Sequence, residues 1–332
     1  MATNDFQAFG NAAGANVLSQ ADYLALAARL SGFTAGTANS AQLNKVWRQS
    51  SVMAYVLAQF ISDTTRQDVL DNGAPATILA AMKSSMAAGG PSVGASRNVS
   101  MAVSAASATA TITADEIAVK TALGGSTWLL PSFSKTINIG TTGAGGMDTG
   151  SAPANGFVAI YAIFNPTTGV SALLGVNATS AKAPEVYGGA NMPAGYTASA
   201  LVSVWPTASS LLKIGAQTDR RVDIVTASVL NSTSPVTTLT ALAISTVIPL
   251  NARVARLSWA ITQGVAGSGN SLVVSSSSTS IGAIGAAAAN TSGTGQGAIA
   301  GELEIIVPQT IYYTNASSVS ITNNISVLGY YF

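Results

Sequence analysis

Apolar positions recur at two different periods along the chain, and the change between them falls near residue 90. Before it the spacing is helical. Tyr23, Leu24, Leu26, Ala27 and Leu30 follow Ser19, which stands where an N-cap belongs, and Gly32 closes the segment. Leu43, Val46, Trp47, Val52, Met53, Val56, Leu57, Phe60 and Ile61 then recur at three- and four-residue steps, with Ser40 placed to cap them. A third helix is expected from Pro75 through Ile78, Leu79, Met82 and Met86, because proline is tolerated in a first helical turn.

Gly89, Gly90 and Pro91 mark the boundary, after which small apolar residues alternate with hydroxyls. Residues 89–122 read as an extended connector. Strand patterns then follow at 134–139, 156–164, 170–176, 198–205, 211–216 and 221–227, separated by turn signals such as Asn165-Pro166 and Pro193-Ala194-Gly195. A second β-rich stretch begins near Pro235, with strands expected at 239–247, 252–263, 271–276, 302–307 and 318–331. The tract 282–301 holds no side chain larger than isoleucine apart from Gln296 and reads either as a flexible loop or as a buried or axial segment. The fold class is therefore α+β by segment. A helical region (1–88) and a connector (89–122) precede two mainly antiparallel sandwich or barrel domains (123–234 and 235–332).

Composition narrows the function. Charged residues make up 8% of the 332 positions, against roughly 25% in an ordinary soluble domain, and net charge is +1. From Ile224 onward only Arg253, Arg256, Glu302 and Glu304 carry charge. Such a chain has no electrostatic basis for gripping nucleic acid or an anionic membrane. No apolar run approaches the length that spans a bilayer, so no membrane insertion is expected. The first ten residues show no basic start leading into an apolar stretch, so no secretory signal is expected either. There is no Cys and no His. That removes disulfides, thiolate metal sites and every His-dependent triad, so neither catalytic nor metal-binding residues nor a cofactor are assigned.

Candidate chemistry is correspondingly sparse. The glycine cluster 140–150 lacks the Lys-Ser/Thr and the following helix of a phosphate loop and reads as a hairpin or surface loop. Asp148, Glu185, Asp219 and Asp223 are the carboxylates of the middle region, and their spacing brings no facing glycosidase pair together. Arg220-Arg221 can offer a basic spot to an acidic glycan or pair locally with neighbouring carboxylates. The ending Tyr330-Tyr331-Phe332 suits a sugar-stacking platform, a core strand or a subunit interface, and Trp259, Tyr312 and Tyr313 share that ambiguity. Trp259, Tyr312, Tyr313 and Tyr330 are the candidates for contact with an outside ligand, and Trp47, Phe60 and Ile61, apolar positions of the helical region, are those for contact with a partner.

Three N-terminal segments, 15–28 (ANVLSQADYLALAA), 40–61 (SAQLNKVWRQSSVMAYVLAQFI) and 68–73 (DVLDNG), resemble the virion-attachment end of bacteriophage tail fibres. Residues 136–151 (TINIGTTGAGGMDTGS), 157–169 (FVAIYAIFNPTTG) and 192–205 are similar to the distal, receptor-binding regions of the same family. The resemblance covers about two thirds of the chain and stops near Pro235. It implies a homotrimeric fibre on the phage tail, joined to other tail or baseplate proteins at its helical end and to a bacterial surface glycan or pilus at its β-rich end. On that reading Trp47, Phe60 and Ile61 are the candidates for virion attachment, and Trp259, Tyr312, Tyr313 and Tyr330, beyond the point where the resemblance stops, are those for receptor binding. Two departures matter. Iron-binding fibre tips use repeated His-x-His, which this chain lacks, and Asp219 stands where relatives place Gly before paired arginines. The other function classes weighed are a capsid or baseplate protein that binds only virion partners, and a polysaccharide depolymerase, which needs paired carboxylates.

Overall fold

The computed structural model describes residues 2–33, 35–37, 39–88, 90–264, 269–289, 295–315 and 321–332. The chain folds as two compact units, Met1–Gly90 with Gly124–Ser126, and Pro91–Leu123 with Thr127–Phe332. The break at residue 90 falls where the Gly-Gly-Pro sequence placed it.

The first unit holds α1 (Gln20–Ala25), α2 (Ala28–Ser31), α3 (Ser40–Thr65) and α4 (Pro75–Ala88). Ser19 caps α1, its Oγ accepting from the Asp22 amide at 3.1 Å. The helix expected to run on to Leu30 is interrupted, because Leu26 adopts an extended backbone and splits it into α1 and α2. Asn39, not Ser40, caps α3: its Oδ1 accepts from the amides of Ala41 and Gln42, while Ser40 Oγ accepts from Asn16 Nδ2. Arg66 ends α3 in the left-handed conformation at φ 56°. The N-terminal segment is tied down by Asp5 N donating to Val69 O and Val69 N to Thr3 O, around an isolated bridge between Asn4 and Val69. This unit buries few apolar side chains, namely Ala58, Ile61, Val69 and Ala81, with Phe6, Ile78 and Met82 packed beside them.

The second unit is antiparallel β throughout its named strands. They are β1 (Ser96–Arg97), β2 (Ser100–Val103), β3 (Thr109–Lys120), β4 (Thr127–Asn138), β5 (Asn155–Asn165), β6 (Val170–Asn177), β7 (Ala198–Ala208), β8 (Leu211–Leu212) and β9 (Gly215–Thr218). There follow β10 (Arg221–Ser232), β11 (Val236–Ala243), β12 (Val254–Gln263), β13 (Gly269–Ser275), β14 (Ile284–Ala289), β15 (Gly295–Glu304), β16 (Thr310–Asn315) and β17 (Ile321–Tyr331). Thirteen strands form one sheet along the path β15-β12-β17-β10-β9-β2-β3-β7-β5-β6, with β1 and β4 on β3 and β8 on β7. The order β11-β16-β13-β14 makes a second sheet.

Side-chain periods explain the layers. Along β12 the inward positions are Ala255, Leu257, Trp259, Ile261 and Gln263, alternating with half-buried neighbours, as a strand with one covered face requires. In β5 the run Phe157–Ile163 is buried without interruption, and β7 is buried from Ala198 to Thr207, so both are covered on two faces.

Three expectations are corrected. Residues 89–122 are not an extended connector: they supply β1, β2 and β3, and β3 pairs with β4 from Thr109↔Asn138 to Lys120↔Thr127. No domain boundary falls at Pro235, because β17 pairs with both β10 and β12 and carries the large sheet across that point. The tract 282–301 is not a flexible loop over its described residues but forms β14 and β15, whose small side chains allow close approach. A Cβ at Gly297 would collide with Ala287 O, and one at Gly301 would lie 3.2 Å from the Trp259 ring. Of the last expected strand, 318–320 lie outside the described residues.

Candidate functional site

The receptor-binding candidates do not form a stacking platform. Trp259 is 1% exposed, its ring under Gly301 between the sheets, and Tyr330 is wholly buried with its Oη donating to Val204 O at 2.6 Å. Burial raises the Tyr330 phenol well above its ordinary pKa. Tyr313 points inward in the same phase as Ile311, leaving Tyr312 as the half-buried, outward-facing member of the four. The reason is strand phase: an aromatic on the apolar phase of a strand is a core residue. Of the alternatives for Tyr330-Tyr331-Phe332, Tyr330 takes the place of a core-strand residue.

The virion-attachment candidates divide differently. Ile61 is buried in the core of the helical unit, whereas Trp47 and Phe60 are about half exposed. Trp47 meets Phe9 edge-on at 5.8 Å, and Phe9 is itself exposed. Phe60 belongs to a longer feature of α3. Leu43, Val46, Ser50, Met53, Leu57, Phe60 and Thr64 repeat in alternating steps of three and four, and Val56 widens the stripe. Met53, Val56, Leu57 and Phe60 are all exposed. The adjoining face, with Ala58, Ile61 and Ser62, is the one buried within the unit. The stripe contains no charged side chain, so identical copies could approach along it without like-charge repulsion.

The paired arginines are held locally. Arg220 Nη2 donates to both carboxylate oxygens of Glu185 at 2.9 and 2.8 Å, and its guanidinium lies 4.9 Å from the Phe332 ring centroid. Arg221 pairs with Asp223, which raises the Arg221 pKa further. Arg256 is bracketed between Asp223 and Glu302, and Tyr331 Oη donates to Glu302 at 2.9 Å. Gly329 lies between these strands on β17, and a Cβ there would meet Asp223 Oδ1 at 3.1 Å. Asp219 is engaged by the Val99 amide at 3.1 Å. All four charges beyond Ile224 thus gather at one end of the sheet, and its other end, at Gln263, Gly295 and Ile321, has none.

The β unit carries two clefts of similar size among its described residues, one of about 360 Å³ beside Trp259, Ile299 and Asn324, and a second that the sequence did not single out. The unit's two longest connections, 139–154 and 178–197, converge on this second cleft, of about 320 Å³, floored by Tyr161 and walled by Asp148 and Tyr187. Tyr187 Oη donates to Asp148 Oδ2 at 3.0 Å, and the two tyrosine rings meet edge-to-face at 5.7 Å. Burial, reinforced by the charges of Glu185, Tyr187 and Asp148, pushes the Tyr161 phenol up; burial and the Asp148 contact do the same to Tyr187. The available signal was length, since loops beyond about 12–15 residues in compact domains are commonly functional. No protein-family model matches the chain, and no curated protein matches it.

Proposed function

We propose that the chain is a non-enzymatic bacteriophage tail fibre, a homotrimer that attaches to the virion through its helical unit and adheres to a bacterial surface glycan or pilus through its β-rich unit. The observation that carries this reading is the exposed heptad stripe Met53-Val56-Leu57-Phe60 on the longest helix. Four exposed apolar residues on one side of two successive turns of this helix call for a partner with a matching repeat, and a sister copy supplies one. The quoted tail-fibre-like segments include this helix, and the rigid, charge-poor sheets suit adhesion by shape and hydrogen bonding. Several copies per particle would turn weak single contacts into firm attachment through effective concentration.

Two measurements test it. Particles assembled with a chain lacking residues 1–88 should carry none of it, and particles lacking the β-rich unit should fail to adsorb. Normal incorporation of the shortened chain would remove the attachment role. Unchanged adsorption without the β-rich unit would favour the alternative, a baseplate or capsid protein that binds only virion partners.

A further inference from the structure

The cleft between 139–154 and 178–197 is built rather than incidental. The 178–197 segment has no strand or helix of its own, yet it is fastened at several points. Asn251, buried, bonds Ala183 twice: Oδ1 accepts from Ala183 N at 2.9 Å and Nδ2 donates to Ala183 O at 2.8 Å. Tyr161 Oη donates to Pro184 O at 2.8 Å, Tyr187 N donates to Ser199 Oγ at 2.8 Å, and Arg220 grips Glu185. On the facing wall, Met147 is fully buried and Asp148 N donates to Gly175 O at 2.7 Å. Both walls are therefore fixed before any ligand arrives, which lowers the ordering cost of binding.

The groups turned towards the cleft have mixed hydrogen-bonding character. Asp148 accepts from Thr149 N and from Tyr187 Oη, one bond on each oxygen, and a carboxylate has lone pairs for more. Asn177 uses its Oδ1 on Thr179 N and retains two Nδ2 donors; Lys182, exposed, has no ion pair among the described residues. Val176, Ala178 and the Tyr187 ring add apolar surface. Asp148 and Lys182 leave the formal charge of the site at zero.

We infer that this cleft binds a neutral saccharide unit, with Asp148 accepting from a pair of ring hydroxyls, Asn177 and Lys182 donating to others, and the Tyr187 ring packed against the sugar's C–H face. Vicinal hydroxyls need acceptor and donor groups side by side over an apolar surface. A strongly acidic sugar would be repelled by Asp148, and a deeply apolar ligand would strip water from the remaining lone pairs of Asp148 and from the Asn177 and Lys182 donors without replacing its hydrogen bonds. The inference rests on the adhesion reading, and names where on the β unit the contact is made and with what.

The test is saturation-transfer NMR on the purified full chain with the methyl glycosides of glucose, galactose and mannose, and with methyl glucuronate as the acidic comparison. At least one neutral glycoside should show transfer at about 10 mM or below, the weak end of measurable affinity. Asp148→Asn should weaken it about tenfold or more, and Lys182→Ala, on an exposed side chain that leaves folding intact, by a smaller factor. No transfer from any neutral glycoside, preference for the glucuronate, or binding unchanged in both variants would overturn the inference. Adsorption separates the two readings: a fibre that adsorbs normally but binds no neutral glycoside loses the saccharide cleft and keeps adhesion, whereas one that binds glycoside without ever adsorbing loses adhesion.

Discussion

The helical unit and the β unit treat their apolar residues in opposite ways. The first 90 residues hold most of the exposed large hydrophobic side chains, among them Leu30, Trp47, Met53, Phe60 and Met86, although they make up about a quarter of the chain. In the β unit Trp205, Trp259, Tyr161 and Tyr330 are all sealed inside. Periodicity without burial marks a surface made to be covered by another chain; periodicity with burial marks a finished fold. On this account the helical unit is the part that assembles and the β unit the part that stands alone.

The largest expected effect comes from striking the uncovered stripe. Met53→Glu with Phe60→Glu places charge in the seam and should convert the proposed trimer entirely to monomer, while the melting transition of the β unit stays where it was. A matched loss in both would mean that the β sheets hold the trimer. Next comes Trp259→Ala, which empties a buried site and should cost about 3–5 kcal/mol in chemical denaturation. Trp47→Ala, on an exposed ring with one edge-on partner, should cost about 1 kcal/mol or less in the same measurement. Equal costs would break the contrast between the units.

Tyr330→Phe removes only the bond to Val204 O and should cost about 1 kcal/mol, with no effect on adsorption per folded particle. The buried phenols also set a pH limit. Tyr161 and Tyr330 have folded pKa values raised above the ordinary 10.0, so their contribution is fully present below that value. It is lost as pH rises through 10.0 towards the raised values, because the unfolded chain then releases protons that the folded chain holds. Thermal scans should therefore show a contribution of these phenols to the stability of the β unit that does not vary with pH near neutrality and falls above pH 10.0.

The two units were also unequally legible. α3 and α4 could be read because a 3.6-residue period and Pro75 are local signals; the break at Leu26 and the choice of Asn39 over Ser40 as cap depend on where the preceding loop runs. In β12 the alternation of Leu257, Trp259 and Ile261 already places the tryptophan on the apolar phase, so its burial was readable once the strand was granted. The union of Pro91–Leu123 and Thr127–Phe332 into one unit was not readable. It depends on β10 meeting β17, a pairing such as Val222↔Tyr330 between residues far apart in sequence, and no local pattern records a long-range register. The glycines of 282–301 misled for a related reason, since small residues serve both mobile loops and closely packed strands. The cleft escaped notice because Asp148 and Tyr187 lie on loops that bring them to Asn177 at the end of β6, and loop spacing carries no geometry.

The account turns on whether the exposed seam of α3 is covered by sister copies, and mass in solution tests that most directly. Light scattering on the full chain at micromolar concentration should return a trimer of the 33.1 kDa chain, and the Met53→Glu, Phe60→Glu variant should return a folded monomer. A wild-type chain that remains a stable monomer would contradict the claim.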